Sequence, residues 1–420
     1  MTTDSTAVVS GTGRGPFAGL PREVAILSAV SFTVALGYGI AAPAIPAFAR
    51  QFGVSVAAAA SVISAFALMR VAFALPAGRL ADRFGSRRVM AAGIAVVAVS
   101  SVLAGLSQSF VQLLVLRGVG GLGSAMFSVS AQALLLASVP SGQRGRASGL
   151  YTGGFLLGGI TGPALGGVVA AWSLRAPFFL YAALLVVPAV IAAVALGPVA
   201  RPVTPRVTAS PRESLTVLAG ALRSRAYQAV AAVNLADSFA VLGIRSAIIP
   251  LFVRDSLHLP ATWTGIGFLV FAALNAAALL PAGRAADTLG RRPVMVAGCA
   301  LSAAGLLLLA VLPGLWAYLG ALAVAGAGSG LLDVAPSAML GDLLSAQARP
   351  GGILVAFFQM AGDVGTVTGP VVAGLLVDGA SYPAAFGLAG GVLAAAALFA
   401  LITPECHNDR GTSPIAAGVD

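Results

Sequence analysis

Lysine is missing from this 420-residue chain, so arginine supplies all 24 Lys/Arg positions. A Walker A loop needs a lysine on the nucleotide phosphates, so ATP hydrolysis by that route is excluded. Charge of either sign is scarce: 9% of residues are charged and 58% are hydrophobic. A soluble domain carries about a quarter charged residues, and a surface this poor in charge calls for lipid as its solvent. Cysteine is scarce too. Cys299 lies in an apolar stretch and Cys406 near the C-terminal end, which makes neither a disulfide framework nor a metal site. His258 and His407 belong to no Cys/His/acid cluster of metal-binding spacing. No Ser-Gly elbow with a plausible histidine is present either. The expectation is therefore no metal, no cofactor and no enzyme.

What is present is a succession of twelve apolar segments: 24–48, 54–77, 89–107, 110–137, 147–171, 177–197, 227–253, 261–282, 294–314, 316–341, 351–377 and 382–403. Each approaches or exceeds the ~20 residues that cross a bilayer as helix. Helix is the open-chain solution, because lipid offers the backbone no hydrogen-bond partners. The first segment is too long for the apolar part of a cleaved signal peptide. The fold class expected is an all-α membrane protein with 12 transmembrane helices in two pseudo-symmetric six-helix bundles. Its parts are a disordered tail (1–22), an N-terminal bundle (23–197), a Pro/Arg/Ser/Thr-rich linker (198–226), a C-terminal bundle (227–403) and a second tail (404–420).

The arginines set an orientation. With the N-terminus inside, Arg50, Arg175 and Arg254 occupy outer loops, whereas inner segments hold Arg79, Arg83, Arg87, Arg88, Arg144, Arg146, Arg284, Arg291, Arg292 and the arginines of the linker and tails. Both tails and the linker then face the cytoplasm, in a multi-pass protein of the inner cell membrane. The net charge of +10 reports topology, and no nucleic-acid partner is expected.

Internal symmetry supports the cut at the linker. Gly78-Arg79-Leu80-Ala81-Asp82-Arg83-Phe84-Gly85 recurs as Gly283-Arg284-Ala285-Ala286-Asp287-Thr288-Leu289-Gly290, 205 residues on. Arg144 and Arg349 share that offset, and Gly162-Pro163 recurs 207 residues on as Gly369-Pro370. Duplication of a six-helix unit explains these near-equal offsets.

On these residues the chain resembles the major facilitator superfamily over nearly its whole length. Family members carry Gly-x-x-x-Asp-Arg-x-Gly-Arg-Arg between the second and third helices. Gly78, Asp82, Arg83, Gly85, Arg87 and Arg88 match it, with Ser86 where Arg is frequent. The second copy keeps Gly283, Asp287, Gly290, Arg291 and Arg292, with Thr288 in place of the first arginine. The glycines allow a tight turn and a close helix approach, and an aspartate is favoured at a helix N-terminus. The resemblance implies a gating latch, with Asp82 docked near Gly351 at the start of the eleventh helix. The plainer alternative is a charge cluster that only sets topology.

Two further patterns carry the resemblance. Arg117 with Gly120, Gly121 and Gly123 is similar to the family's fourth-helix Arg-x-x-Gly-Gly signature. An arginine inside a span costs roughly 2.5–3.5 kcal/mol unless it faces a polar interior, so Arg117 either faces a cavity or has a structural role. Gly158 to Gly167 fits Gly-x-x-x-Gly-Pro-x-x-Gly-Gly throughout and resembles the fifth-helix signature of exporters that exchange substrate for protons. Gly154, Gly158, Gly162 and Gly166 fall every fourth residue, a ridge against which a partner helix can pack. Pro163 bends the helix, and Gly167 completes the signature. Gly365, Gly369, Pro370 and Gly374 echo it imperfectly in the eleventh segment.

Asp237, Asp333 and Asp363 lie near mid-depth in segments seven, ten and eleven. Each is expensive in lipid and belongs against protein or water, where a carboxyl can bind and release a proton. With Arg117, they are the candidates for proton coupling. Asp363 sits in a Gly-Asp-x-Gly-x-x-x-Gly-Pro setting similar to a recurring structural motif of the family. Many proton-coupled exporters have an acid in the first or fourth helix; this chain has none. Arg245 is expected to pair with Asp237 or with an acid of another helix, and Arg70 to snorkel toward the inner surface. Asp342 is expected to support the second charged loop. Tyr38, Gln132, Asn234, Arg245, Phe271, Asn275, Phe357 and Gln359 are candidates to line a substrate cavity; helix packing is the alternative for each.

The expected function is secondary active transport: proton-coupled efflux of a drug or small apolar metabolite by alternating access. An uptake symporter for a sugar, amino acid or organic acid is the alternative on the same fold. The partners expected are a small-molecule substrate, protons and the lipid bilayer, with the protein monomeric.

Overall fold

The computed structural model describes residues 19–140, 143–194, 219–312, 314–345 and 352–403. Among them the chain forms twelve long helices and no strand. The first six are α1 (Arg22–Arg50, broken at Ala42 and Pro43), α2 (Val56–Phe84), α3 (Ser86–Gly105), α4 (Phe110–Ser138), α5 (Arg144–Trp172) and α6 (Ala176–Val194). The second six are α7 (Arg225–Asp255), α8 (Ala261–Thr288), α9 (Arg291–Val311), α10 (Leu315–Leu343), α11 (Gly352–Gly379) and α12 (Tyr382–Leu401). Eleven are long and apolar enough to cross a bilayer by length and composition, and α6 is an apolar helix of 19 residues. Residues 1–18 of the first expected tail, all of the second and most of the expected linker lie outside the described residues; Arg22 of the first tail and residues 219–223 and 225–226 of the linker are helical.

The two sets of six pack in the same pattern. α1 lies on α5, α3 on α4 and α6, and α2 on α4; correspondingly α7 lies on α11, α9 on α10 and α12, and α8 on α10. Between the halves, α2 meets α11 and α5 meets α8. The turns after α2 and α8, with Arg83, Arg87, Arg284 and Arg291, mark an arginine-rich end. The connections holding Arg50 and Arg254 mark the opposite, arginine-poor end.

The repeated octet owes its last glycine to the backbone. Gly85 has φ +88° and Gly290 φ +98°, a region that L side chains rarely adopt. Gly85 alone makes the turn into α3, and Gly290 with Leu289 makes the turn into α9. The close helix approach expected at the first glycine of the octet is not found. A Cβ on Gly78 would lie 3.9 Å from Val129 Cγ1, and one on Gly283 would meet nothing within 4 Å.

The glycine ridge of α5 packs against the α1 backbone. A Cβ on Gly154 would lie 2.7 Å from Ser28 O, and one on Gly162 would lie 2.5 Å from Leu36 O. Gly158 and Gly166 sit equally hard against Phe32 O and Ile40 O. In the second half, Gly365 and Gly369 press on Leu235 O and Phe239 O of α7. The next glycine of each ridge crosses to the other half: Gly167 rests on Gly265 of α8, and Gly374 on Ala57 of α2.

Three helices depart from regularity. Pro43 and Pro46 lack N–H groups for the carbonyls four residues back, and α1 breaks there. Pro336 does the same to Leu332 O, so α10 breaks at Asp333 and Val334. In α7, Ser238–Ile244 is a π-helical segment, a geometry frequent at functional sites.

Candidate functional site

Two of the acids singled out in the sequence stand at these irregularities. Asp237 is the last α-helical residue before the π segment of α7, and Asp333 caps the first part of α10 at its break. Arg245, the first residue after the π segment, carries a charge that interacts with both carboxylates. Its guanidinium lies 4.0 Å from the centroid of Phe271 and 5.7 Å from that of Phe268, both on α8. Stacking on a ring face attracts the cation through the ring quadrupole and leaves its edge N–H groups for other partners. Asn275, also on α8 and buried, donates through Nδ2 to Asp333 Oδ2 at 2.8 Å. Asp237 Oδ1 is sealed from solvent with no hydrogen-bond partner. Three helices, α7, α8 and α10, thus bring one guanidinium, two carboxyls and one amide together, and one carboxyl oxygen has its bonding capacity unspent.

Arg117 is enclosed in the other half. Only 2% of its surface is exposed. Its guanidinium lies 4.5 Å from the Phe66 ring centroid and 5.9 Å from that of Tyr38, and its Nε and Nη2 have no hydrogen-bond partner. Tyr38 and Phe66 are themselves 5.2 Å apart, centroid to centroid. Phe66 and Phe271 hold equivalent places at the 205-residue offset. Each half therefore lays a guanidinium on the same ring, from α4 in one and α7 in the other. Only the α7 arginine has carboxyls beside it.

Asp363 and Arg70 form an ion pair. Arg70 Nη2 donates to Asp363 Oδ1 at 2.6 Å, joining α2 to α11 at mid-depth. This corrects the reading of Arg70 as a snorkelling side chain: an acid 293 positions away offers a nearer partner than the surface. Removing either partner leaves a charge without its counter-ion in a membrane interior. Arg70→Ala and Asp363→Ala should each lower Tm by intrinsic-tryptophan fluorimetry, and the exchange Arg70→Asp with Asp363→Arg should recover part of the loss. Equal losses in the exchange and the single variants would show that the pair carries no coupling energy.

The remaining cavity candidates divide. Asn234 spends its amide on Phe358 O of α11 at 2.7 Å. Half-buried Phe357 packs on Tyr227, with centroids 6.3 Å apart. Gln132 and Gln359 are exposed. A mostly apolar cleft of about 330 Å³ lies elsewhere. It sits at the arginine-poor end between Ala47, Gly167 and Leu174 of one half and Val253, Pro260 and Thr264 of the other.

At the arginine-rich end, Arg291 donates through Nε to Asp342 Oδ2 at 3.1 Å and through Nη1 to Asp287. Asp342 thus braces the second octet, and Asp287 is held by an arginine of its own turn. Asp82 of the first octet is exposed; the docking expected around Gly351 lies outside the described residues. The sequence reading passed over Phe66, which cradles Arg117. It also passed over Asp378, whose two carboxylate oxygens accept from Val56 N and Ala57 N at 2.9 and 2.8 Å. The 205-residue offset linking Phe66 to Phe271 was the available signal for the first.

Comparison with known proteins agrees with this architecture. The chain resembles an uncharacterised MFS-type transporter, YceJ of Bacillus subtilis, at 26% identity over 86% of this chain and 90% of that one. It matches an uncharacterised MFS-type transporter of Mycobacterium tuberculosis, Rv1877, at 34% identity over 49% of this chain, a region spanning 30% of that relative's length. It also matches the quinolone resistance protein NorA of Staphylococcus aureus at 27% identity over 39% of this chain and 42% of that one. Among solved structures, a bacterial homologue of the human lysosomal transporter Spinster superposes with a TM-score of 0.71 at 15% identity, over 91% of this chain and 94% of that one. The family model of the Major Facilitator Superfamily matches residues 27–246 and again 230–417. With two six-helix units, paired octets and paired glycine ridges behind that match, the chain belongs to the Major Facilitator Superfamily.

Proposed function

We propose that this transporter is a proton-coupled exporter of drugs or small apolar metabolites, working by alternating access with both termini in the cytoplasm. The observation that carries the reading is the group Asp237–Arg245–Asp333 in the second half, with one carboxyl oxygen unsatisfied. Two carboxyls lie in the field of one guanidinium, so the group reaches neutrality by taking one proton. A proton arriving or leaving changes which carboxyl holds Arg245 and, through the π segment, the path of α7. That couples charge to the packing of α7 on α11. Each proton entering down the membrane potential supplies about 2.3 kcal/mol per 100 mV.

In this reading the arginine-poor end is the outer face. The contacts of Gly167 with Gly265 and Gly374 with Ala57 close it, and in alternating access the cavity then opens to the cytoplasm. Asp82 and its octet latch the inner face in the opposite state. The substrate class rests on the glycine ridge of α5 and on relatives described as quinolone resistance and multidrug resistance proteins.

The test is accumulation of a quinolone and of lipophilic cationic dyes in cells with and without the protein, repeated with a proton uncoupler. The expected result is lower accumulation with the protein, abolished by the uncoupler. Raised accumulation of a solute that depends on the proton gradient would reverse the direction and make the protein an uptake symporter.

A further inference from the structure

We propose that Asp378, with Gly374 one turn before it, is the gate latch of the arginine-poor end, reciprocal to the Asp82 latch. The proposal rests on the alternating-access reading above. A helix begins with N–H groups that have no partner inside it. In α2, Ser55 Oγ accepts from Ala58 N at 3.2 Å, which leaves Val56 and Ala57. Asp378 of α11 takes both, one with each carboxylate oxygen, across 322 and 321 positions of chain. The carboxylate belongs to one half and the helix start to the other, so this contact has to break when the end opens.

The approach that allows it depends on Gly374. A Cβ there would come within 2.5 Å of Ala57 Cα and 2.9 Å of Ala57 N, backbone atoms that cannot turn aside. Of the charged groups around the latch, Arg50 of α1 interacts with Asp378. Arg254 and Tyr382 are engaged with Asp255, which accepts from Tyr382 Oη at 2.9 Å.

The geometry is reciprocal along one pair of helices. α2 and α11 run side by side in opposite directions, tied at mid-depth by Arg70 and Asp363. Each carries a carboxylate in its last turn, Asp82 in α2 and Asp378 in α11. At the arginine-poor end Asp378 is docked on the start of α2. At the far end of α2, Asp82 is exposed on the side where α11 begins. In this scheme each latch stabilises one end closed, Asp378 the arginine-poor end and Asp82 the arginine-rich end. Asp378 is therefore a positioning residue of the transport cycle, and release of substrate at the arginine-poor end requires its bonds to break.

The experiment is thiol labelling in lipid nanodiscs, where both faces are reachable. Thr264, 3% exposed at the α5–α8 seam of that end, is replaced by cysteine in a Cys299→Ser, Cys406→Ser background. Its rate of reaction with a hydrophilic maleimide reports opening. Asp378→Asn should raise the rate about fivefold, corresponding to ~1 kcal/mol. Gly374→Ala should also raise it. Asp378→Glu should stay near the parent rate, and Asp82→Asn should slow labelling. A rate in Asp378→Asn within about twofold of the parent overturns the proposal, whatever Gly374→Ala does, as does a rise in Asp378→Glu equal to that in Asp378→Asn. Neither transport direction nor coupling enters the readout. If efflux fails while labelling responds as expected, the functional reading falls and the latch stands.

Discussion

Asp237→Asn is expected to abolish proton-driven efflux while the protein stays folded in the membrane. Asparagine keeps the shape of the side chain and one carbonyl oxygen, and it removes the protonatable group. Arg245 then faces Asp333 alone, a pair already neutral without a proton. The group no longer needs to exchange charge as the halves rock, so substrate movement is uncoupled from the proton gradient. Asp333→Asn should have a similar result: the asparagine carbonyl can still accept the 2.8 Å bond from Asn275, but the protonatable group is gone. The check is quinolone efflux from everted membrane vesicles energised by an imposed pH gradient, with membrane content measured by immunoblot. Wild-type efflux in both variants would remove these carboxyls from the coupling step.

The largest expected effect on stability is at the α1–α5 seam, and its sign reverses over three residues. Gly162→Val places a Cβ 2.5 Å from Leu36 O and 2.7 Å from Gly39 Cα. Both are backbone atoms of α1, so the helices must part. Overpacking of this kind costs about 1–3 kcal/mol, and the added β-branch puts valine at the upper end. Gly159→Ala, on the same helix, meets nothing within 4 Å. Alanine is favoured over glycine in a helix by roughly 0.5–1 kcal/mol, so this change should leave Tm unchanged or raise it. Tm of the detergent-solubilised variants checks both. A loss of equal size at the two positions would mean that the ridge is not a packing surface for α1.

Much of the architecture was legible because lipid imposes so few options. Each long apolar run is a helix, the polar gaps mark the turns, and the offset between Asp82 and Asp287 exposes the duplication. The ridge of Gly154, Gly158, Gly162 and Gly166 could be read as a packing face from its spacing, but the partner could not. Choosing α1 over another helix is a matter of tertiary arrangement. The same limit hid the pairing of Arg70 with Asp363. The sequence shows two costly charges 293 positions apart, and only the packing of α2 on α11 brings them to 2.6 Å. Asp378 escaped notice because an acid at a helix end looks like an ordinary loop residue; the N–H groups it satisfies belong to the other half. The π segment of α7 had no signal beyond Gly243, whereas the break beside Asp333 was foreshadowed by Pro336.

The acids show how composition and geometry divide the work. Composition marked Asp237, Asp333 and Asp363 as equally expensive. Their surroundings separate them, since Asp363 is ion-paired with Arg70 across the halves while Asp237 and Asp333 lie in the field of Arg245 within one half. A mid-depth ion pair and two carboxyls around one guanidinium are different arrangements built from the same residue types.

The central claim, that protons and substrate move in exchange, is tested most directly by proton flux in proteoliposomes that enclose a pH-sensitive dye. A quinolone gradient applied across the membrane, with no imposed pH gradient, should drive protons the opposite way and shift the dye signal. The Asp237→Asn protein should give no shift. A quinolone flux through the wild-type protein with no proton movement, or with protons moving in the same direction, would contradict the account.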